Sequence, residues 1–335
     1  MKIWSWKRNW IKKGAHQKAA QLDFSNVRRI AVLKHAALGD LVLTRPFLIT
    51  LREYFPDAEI TLSVARHYMN GIPEDLVDRI HIVQSKKNGA SLWRRWKELR
   101  SLGEQDILFD ISAVSRTFWL SKITKAKLKI GYKHRFVHRL IYDIAVERTA
   151  YKFEAETFMD QLLVLGLQYK WPLEFALQPD SSPIEGPYIL YFPTASVDYK
   201  AWEFHRFASL INQLHARYPQ YKHVLLSGIA EWEKKICDKV EALIEDKQNF
   251  LRINGSDETC NIVGHAALLV ANDTGIRNMA IAYNTPTVCV FMATLPFTYA
   301  PRFGLHEIVF KTLGGQPEVD QVYDACCKIL TKLDS

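Results

Sequence analysis

One pattern is spelled out twice along the chain. The apolar run "RRIAVLK" (28–34), of the kind that fills a parallel sheet, passes through a Gly-Asp turn into "LVLTRPFLITLREYF". There Leu43, Phe47 and Leu51 recur every four residues, the spacing of a helix. "AEITLSVA", "RIHIVQ" and "DILFDIS" read as further strands, with the basic helical stretch "SLWRRWKELRSL" before the last of them. "QPDSSPIEGP" (178–187), rich in Pro, Ser and Gly, interrupts the series as a linker. The alternation then restarts. "YILYFP", "HVLLSG", "LLVAN" and "TPTVCVFM" are strands, and "AWEFHRFASLINQLHARYP", "EWEKKICDKVEALIED", "TGIRNMAIAYN" and "VDQVYDACCKILTKL" are helices. Strands that alternate with helices pair in parallel, so the chain is expected to be α/β, with two doubly wound, Rossmann-like domains. The expected divisions are a basic segment 1–27, a domain 28–177, a linker 178–187 and a domain 188–335. The C-terminal strand ends of both sheets are expected to line a cleft between the halves. A length of 335 residues accommodates two such cores.

The charge is concentrated at one end. Residues 1–29 hold eight cations and one acid, Asp23, so they carry +7 of the net +8. Trp4, Trp6 and Trp10 lie among these cations, and Ile3, Trp6 and Trp10 have helical spacing. Such a segment fits either an interfacial helix on anionic lipid or a frayed tail. No nucleic-acid module follows it, so nucleic acid is not an expected partner. No apolar run spans a bilayer, and the head lacks a signal-peptide core, so export is not expected. The five cysteines form no C-x-x-C pair and read as reduced, mostly buried thiols. His134 and His138 lie four apart without a further ligand, so no metal site is expected.

Three loops that follow strands carry the chemical signal. "ALGD" places Asp40 at a strand-to-helix turn, where a carboxylate either caps the helix or acts as a base. "FPTASVDYKAW" supplies Thr194, Ser196 and Lys200, which suit a diphosphate and equally suit a polar surface loop. "NDTGIRN" puts Asp273, Thr274 and Gly275 at a helix start, with Arg277 close behind. This is an anion site or an ordinary capped junction.

Taken together, "LGD", "FPDAEI", "DYKAW", "LLSGIAEWE" and "NDTGIRNMAIAYNTPTVCVF" resemble the bacterial lipopolysaccharide heptosyltransferases of glycosyltransferase family 9, over roughly residues 28–330. The resemblance implies a GT-B fold, with an acceptor-side first domain and a donor-binding second domain. It implies metal-independent, inverting transfer of heptose from ADP-heptose to a Kdo or heptose residue of the lipopolysaccharide inner core. The absence of a D-x-D triplet agrees with that mechanism. No cofactor is implied beyond the nucleotide-sugar co-substrate. Carried over by position, Asp40 is the catalytic base, and Ser196 and Lys200 are diphosphate ligands. Glu231 is an acid beside the donor nucleoside, and Asp273, Thr274 and Gly275 form the donor motif. Asn278 stands where the family often has histidine, and Arg277 is expected to supply the missing charge to the donor. Met292 and Arg45 are further departures, and they leave another nucleotide-activated sugar open as donor.

The acceptor implied is anionic. Lys133, Arg135 and Arg139, within "KIGYKHRFVHRL", suit its carboxylates or phosphates, or form a solvated basic surface. Arg66 and Arg116 each follow a strand and are lesser candidates. The implied location is cytoplasmic, peripheral on the inner face of the inner membrane. The competing reading is a non-catalytic membrane-surface protein that shares the fold.

Overall fold

A computed structural model describes residues 1–4, 8–66, 71–83, 92–112, 114–134, 136–256 and 258–334. The chain divides into two compact units. Unit 1 comprises Met1–Ala150 and Glu154–Phe175, and unit 2 comprises Tyr151–Phe153 and Ala176–Ser335. Both are α/β, as the alternation requires.

Unit 1 is built on β1 (Trp10–Ile11), β2 (Arg29–Leu33), β3 (Glu59–Ala65), β4 (Arg79–Val83), β5 (Gln105–Asp110), β6 (Ala126–Tyr132) and β7 (Ile144–Val146). They form one sheet in the order β1-β7-β6-β5-β2-β3-β4. All neighbours are parallel except β1, which runs antiparallel on β7. The central strands are buried on both faces, as a sheet covered by helices demands. From β2 the chain winds outward through β3 and β4, then returns to β5 on the other side. The switch point of unit 1 therefore lies between β2 and β5.

The single helix expected over 41–55 is two helices, α2 (Leu38–Val42) and α3 (Arg45–Tyr54). The Thr44 hydroxyl donates to Leu41 O (2.5 Å) at the break. Pro46, in the first turn of α3, has no N–H to leave unsatisfied there. Arg45 has a structural role: it is buried, donates to Phe175 O (2.5 Å) and grips Asp75 with both terminal nitrogens (2.7 and 2.5 Å). That grip holds the Asp75 carboxyl below its ordinary range.

The basic head is neither an interfacial helix nor a frayed tail over its described residues; Trp6 lies outside them. Trp10 and Ile11 close the open edge of β7 as β1, and α1 (Ala15–Ala20) follows. The Trp4 N–H donates to Val164 O (2.8 Å), and Lys18 pairs with Asp143 (2.8 Å). A Cβ on Gly166, whose φ is +79°, would stand 2.7 Å from the Trp4 indole nitrogen, so this seat requires glycine.

Unit 2 carries β8 (Tyr188–Phe192), β9 (Lys222–Ser227), β10 (Phe250–Asn254), β11 (Leu268–Asn272), β12 (Thr287–Val290) and β13 (His306–Val309). The sheet is parallel throughout, in the order β10-β9-β8-β11-β12-β13, with its switch point between β8 and β11. Its helices are α8 (Phe204–Arg217), α9 (Glu231–Glu241), α10 (Thr259–Gly264), α11 (Gly275–Ala282) and α12 (Val319–Asp334). Phe207, Leu210, Ile211 and Leu214 form the apolar stripe of α8. They pack with Trp202, Val288, Val290, Val322 and Ile329 into one core. All five cysteines are free thiols, and burial pushes those of Cys237 and Cys289 up to about 12. Among the described residues no helix is long and apolar enough to cross a membrane.

Two histidines of unit 2 are held in the neutral form, His223 fully buried and His306 partly so. His223, hydrogen-bonded to the Tyr191 hydroxyl (2.8 Å), is depressed to about 4 by burial and by the nearby His215. His306, bonded to the Thr287 hydroxyl (2.9 Å), is depressed to about 3 by burial and by Arg277. In the unfolded chain both protonate near their ordinary value of about 6.5. Between these values the unfolded state binds more protons, so acid favours unfolding. Their contribution is whole above pH ~6.5 and lost as pH falls towards 3–4. The melting temperature is expected to fall steadily from pH 7 to 4, and less steeply in His223→Gln. Identical pH profiles for the two proteins would remove His223 from this account.

Candidate functional site

At the switch point of unit 2, two loops are held together by one carboxamide. Asn272, the last residue of β11, donates through Nδ2 to Pro193 O (2.8 Å), just beyond β8. Its Oδ1 accepts from the Trp202 N–H (3.0 Å), and the Trp202 indole donates to Pro317 O (2.9 Å). The loop between Pro193 and Trp202 is thus fixed at both ends. Its Lys200 lies at the end of a short 3-10 turn, and its ammonium reaches Asp273 Oδ2 at 3.3 Å. The same Asp273 oxygen accepts from the Thr294 hydroxyl (2.6 Å). Both members of the ion pair are only partly shielded from solvent.

Thr274 is the cap residue of α11, and Gly275 begins that helix. The Thr274 hydroxyl makes no capping bond and, although buried, has no hydrogen-bond partner among the described residues. The first-turn N–H groups of a helix have no acceptor within the helix, which makes this end receptive to an anion. Lys200, Asp273, Thr274 and Gly275 are therefore gathered in one place. Ser196 is exposed on the same loop as Lys200.

Two expected donor residues lie elsewhere. Glu231 is exposed at the start of α9 and pairs with Lys234 (2.7 Å), which holds its carboxyl below the ordinary range. The acid that turns towards the loops is Glu233. It accepts from the Thr194 hydroxyl (3.2 Å) and from the Ala230 N–H (3.1 Å). A Cβ at Gly228 would stand 2.0 Å from this carboxylate, so any larger residue there would make the Glu233 side chain swing away. The sequence signal was present, because an acid three residues beyond a helix cap folds back onto it.

Arg277 departs further from expectation. It was expected to reach a donor phosphate, or else to be an exposed helix arginine, but it is fully buried. Its guanidinium lies 5.5 Å from the Phe291 ring centre, and none of its three nitrogens has a hydrogen-bond partner among the described residues. Burial lowers its pKa, while Cys289 and Asp273 oppose that shift.

In unit 1, the loop leaving β2 is tied down before it reaches Asp40. Lys34 is buried 3.7 Å from Glu154 and 4.2 Å from the Phe158 ring centre, and Arg148 holds both Glu154 oxygens (2.6 and 2.7 Å). The His35 N–H donates to the Ser112 hydroxyl (2.6 Å), which links the loops after β2 and β5 across the switch point. His35 Nε2, Ser63 Oγ and His81 Nδ1 form a chain (3.0 and 2.9 Å), and His81 Nε2 meets Glu98 O (2.8 Å). A carbonyl only accepts, so Nε2 of His81 carries a proton. Burial lowers the His81 pKa and keeps the ring neutral, so its Nδ1 accepts from Ser63. The Ser63 oxygen in turn accepts from His35 Nε2. Asp40 follows as the third residue of α2, half-buried. The cap position belongs to Ala37, so Asp40 is a first-turn acid and not the cap.

The acceptor candidates are scattered. Lys133 is engaged with Glu147 (3.0 Å) and with Arg8 O (2.9 Å). Arg139 is exposed on α6 (Val137–Ile141), Arg66 is exposed after β3, and Arg116 is half-buried. Arg135 lies outside the described residues. His138 is buried against Trp10, and no cluster of metal-binding side chains occurs among the described residues.

Comparison with known proteins bears on this arrangement. Residues 95–326 match the family described as glycosyltransferase family 9 (heptosyltransferase). The lipopolysaccharide core heptosyltransferase OpsX of Haemophilus influenzae is 24% identical over 299 residues, covering 84% of each chain. Lipopolysaccharide heptosyltransferase 3 of Escherichia coli K12 is 24% identical, covering 76% of this chain and 80% of its own. Among solved structures, E. coli heptosyltransferase WaaC with ADP-2-deoxy-2-fluoro heptose superposes with a TM-score of 0.71 at 18% identity. That match covers 92% of this chain and all of WaaC. E. coli ADP-heptose lps heptosyltransferase II gives 0.70 at 17%, covering 92% and 100%. The fold is the GT-B fold that the sequence motifs implied.

Removing the unpaired Arg277 charge is expected to stabilise the ligand-free protein. A buried ion without partners costs several kcal/mol, and an apolar side chain of similar volume does not. Arg277→Met is expected to melt at a temperature equal to or above the parent. A clear drop in scanning calorimetry would contradict this.

Proposed function

The chain belongs to glycosyltransferase family 9, and from this we propose that it transfers heptose, with inversion, from ADP-heptose to a Kdo or heptose of the lipopolysaccharide inner core. The observation that carries the proposal is the grouping of Lys200, Asp273, Thr274 and the start of α11 at the switch point of unit 2. A nucleoside diphosphate needs fixed cations and N–H donors at such a sheet edge. The choice of sugar and acceptor is supported by relatives that are lipopolysaccharide heptosyltransferases, and by the ADP-2-deoxy-2-fluoro heptose bound in WaaC.

The acceptor hydroxyl oxygen attacks the anomeric carbon and its proton passes to the Asp40 carboxylate. The bond from that carbon to the diphosphate oxygen breaks, and its electron pair leaves with ADP. The charge gained by the diphosphate is met by the Lys200 ammonium and the first-turn N–H groups of α11. An ammonium has three N–H donors, so Lys200 can keep Asp273 and still bind a phosphate. With this charge provided by the chain, the reaction is metal-independent. The enzyme works at the cytoplasmic face of the inner membrane.

A product panel tests the donor and acceptor. Nucleotide sugars are paired with truncated core acceptors, and mass spectrometry reads transfer. ADP-heptose with an inner-core acceptor is the pair expected to give product. Product from a different nucleotide sugar alone would replace the donor assignment.

Asp40→Asn tests the base. The cap is Ala37, so the amide is expected to leave α2 and the melting temperature intact. Single-turnover transfer should fall about 10²-fold or more, as for loss of a general base. Near-normal transfer by this folded variant would end the assignment of Asp40.

Lys200→Ala tests the leaving-group site. A contact that strengthens as charge develops should lower kcat by about 10²-fold as well as weaken donor binding. A change confined to the acceptor KM would move Lys200 out of the donor site.

A further inference from the structure

Unit 1 presents an apolar surface that includes neither Asp40 nor any residue of the Lys200–Asp273 site. Helices α5 (Ser115–Ile123) and α6 lie side by side and leave Trp119, Phe136 and Leu140 63, 75 and 74% exposed. Between them runs an open groove of about 300 Å³, lined by Phe118, Trp119, Lys122, Val137, Leu140 and Ile141. Large side chains are exposed together only where something covers them in use.

The charge carried by these two helices has one sign. Lys122 extends its ammonium to 5.4 Å from the Trp119 ring centre. Arg116 and Arg139 lie on the same two helices, and neither helix contains an acid. Strand β1 brings the basic head alongside, because Trp10 packs edge-on against His138 of α6 at 5.4 Å. Arg8, Lys12 and Lys13 are exposed on that stretch. The concentration of charge seen in the sequence thus becomes one rim of an aromatic patch.

We propose that α5, α6 and β1 form a docking face for an anionic lipid bilayer. Trp119, Phe136 and Leu140 enter the headgroup region, and Lys122, Arg116, Arg139, Lys12 and Lys13 meet the lipid phosphates. Aromatic rings with a surrounding ring of cations match the boundary between acyl chains and anionic headgroups. A second copy of the chain is a poor occupant, because a two-fold contact would set these cations against themselves. The proposal rests on the peripheral membrane location given above and assigns that location a surface.

The test is sedimentation of the full-length protein with vesicles of phosphatidylglycerol and phosphatidylcholine, in the absence of donor and acceptor. Trp119→Ser/Phe136→Ser/Leu140→Ser is expected to lower the vesicle partition coefficient at least 10-fold, with the fold checked by circular dichroism. Lys12→Gln/Lys13→Gln/Lys122→Gln is expected to lower it about 10-fold or more at low salt, and less at high salt. Transfer to a soluble acceptor fragment is expected to be unchanged in the apolar triple variant, which separates docking from catalysis. Undiminished vesicle binding by the apolar triple variant would overturn the proposal. A parent dimer that this variant converts to monomer would also overturn it, by assigning the face to a second copy.

Discussion

Asn272 is the residue on which the arrangement at the switch point of unit 2 depends. A carboxamide offers a donor and an acceptor on one rigid plane, and both are used: Nδ2 reaches the chain leaving β8, and Oδ1 holds the Trp202 N–H. Buried polar atoms are tolerated when they are paired in this way, and each bond is stronger for lying out of water. The consequence is positional. Lys200 sits two residues before one anchor and Asp273 one residue after Asn272 itself, so their ion pair is set by the backbone. Trp202 extends the same constraint into the core, because its indole is bonded to Pro317 O and packed among the apolar residues of α8 and α12. Replacing Asn272 by an apolar residue would leave a buried N–H and a buried carbonyl unpaired, a larger loss than its own bonds suggest.

The buried cations fall into two groups. Lys34 and Arg45 are both paired, with Glu154 and with Asp75, and each ties the start of an element to a distant part of unit 1. Such pairs fix geometry more than they add stability, because desolvation consumes much of the attraction. Arg277 lies in the other group: it has no hydrogen-bond partner among the described residues, and Cys289 and Asp273 favour its charged form against burial. Its burial between α11 and Phe291 places positive potential under the strand end that carries Asp273 and Thr274. A positive charge beside a helix N-terminus adds to the positive end of that helix's dipole.

The alternation of strand and helix was enough to reveal both sheets, because β2, β3, β5, β8 and β11 are buried on both faces and each centres on a short, mostly apolar run. The strands that escaped did so for the opposite reason. β6 alternates with lysines, β7 is three residues long, and β10 and β13 are only half-buried, so neither run length nor period marks them. β1 could not be seen at all: two residues become a strand only because β7 offers a partner. The candidate site was legible where chemistry is local, as at Lys200 and Asp273–Gly275, which one loop and one helix start bring together. It was illegible where a helix rotates its residues. Glu231 and Glu233 are two apart on α9 and face different ways, and Arg277 turns inward although its charge argued for the surface.

The loop that carries Asp40 is ordered by directional bonds and not by packing alone. Because Glu98 O can only accept, each proton in the His35–Ser63–His81 chain has one assigned place, and the order runs from β4 to the loop after β2. Protonating His81 would turn its Nδ1 into a donor, and the Ser63 hydroxyl, which donates to it now, would have to reverse. Its oxygen would then accept from both His81 Nδ1 and His35 Nε2, one lone pair to each, and the hydroxyl proton would lose its present acceptor. Burial makes this event rare near neutrality, since it lowers the His81 pKa. The Ser112 hydroxyl holds the backbone of His35 independently of the rings, so this anchor does not depend on the proton order of the chain. The proton order of three side chains and one backbone bond therefore divide between them the task of presenting the first turn of α2. Only the first part of that division is sensitive to acid.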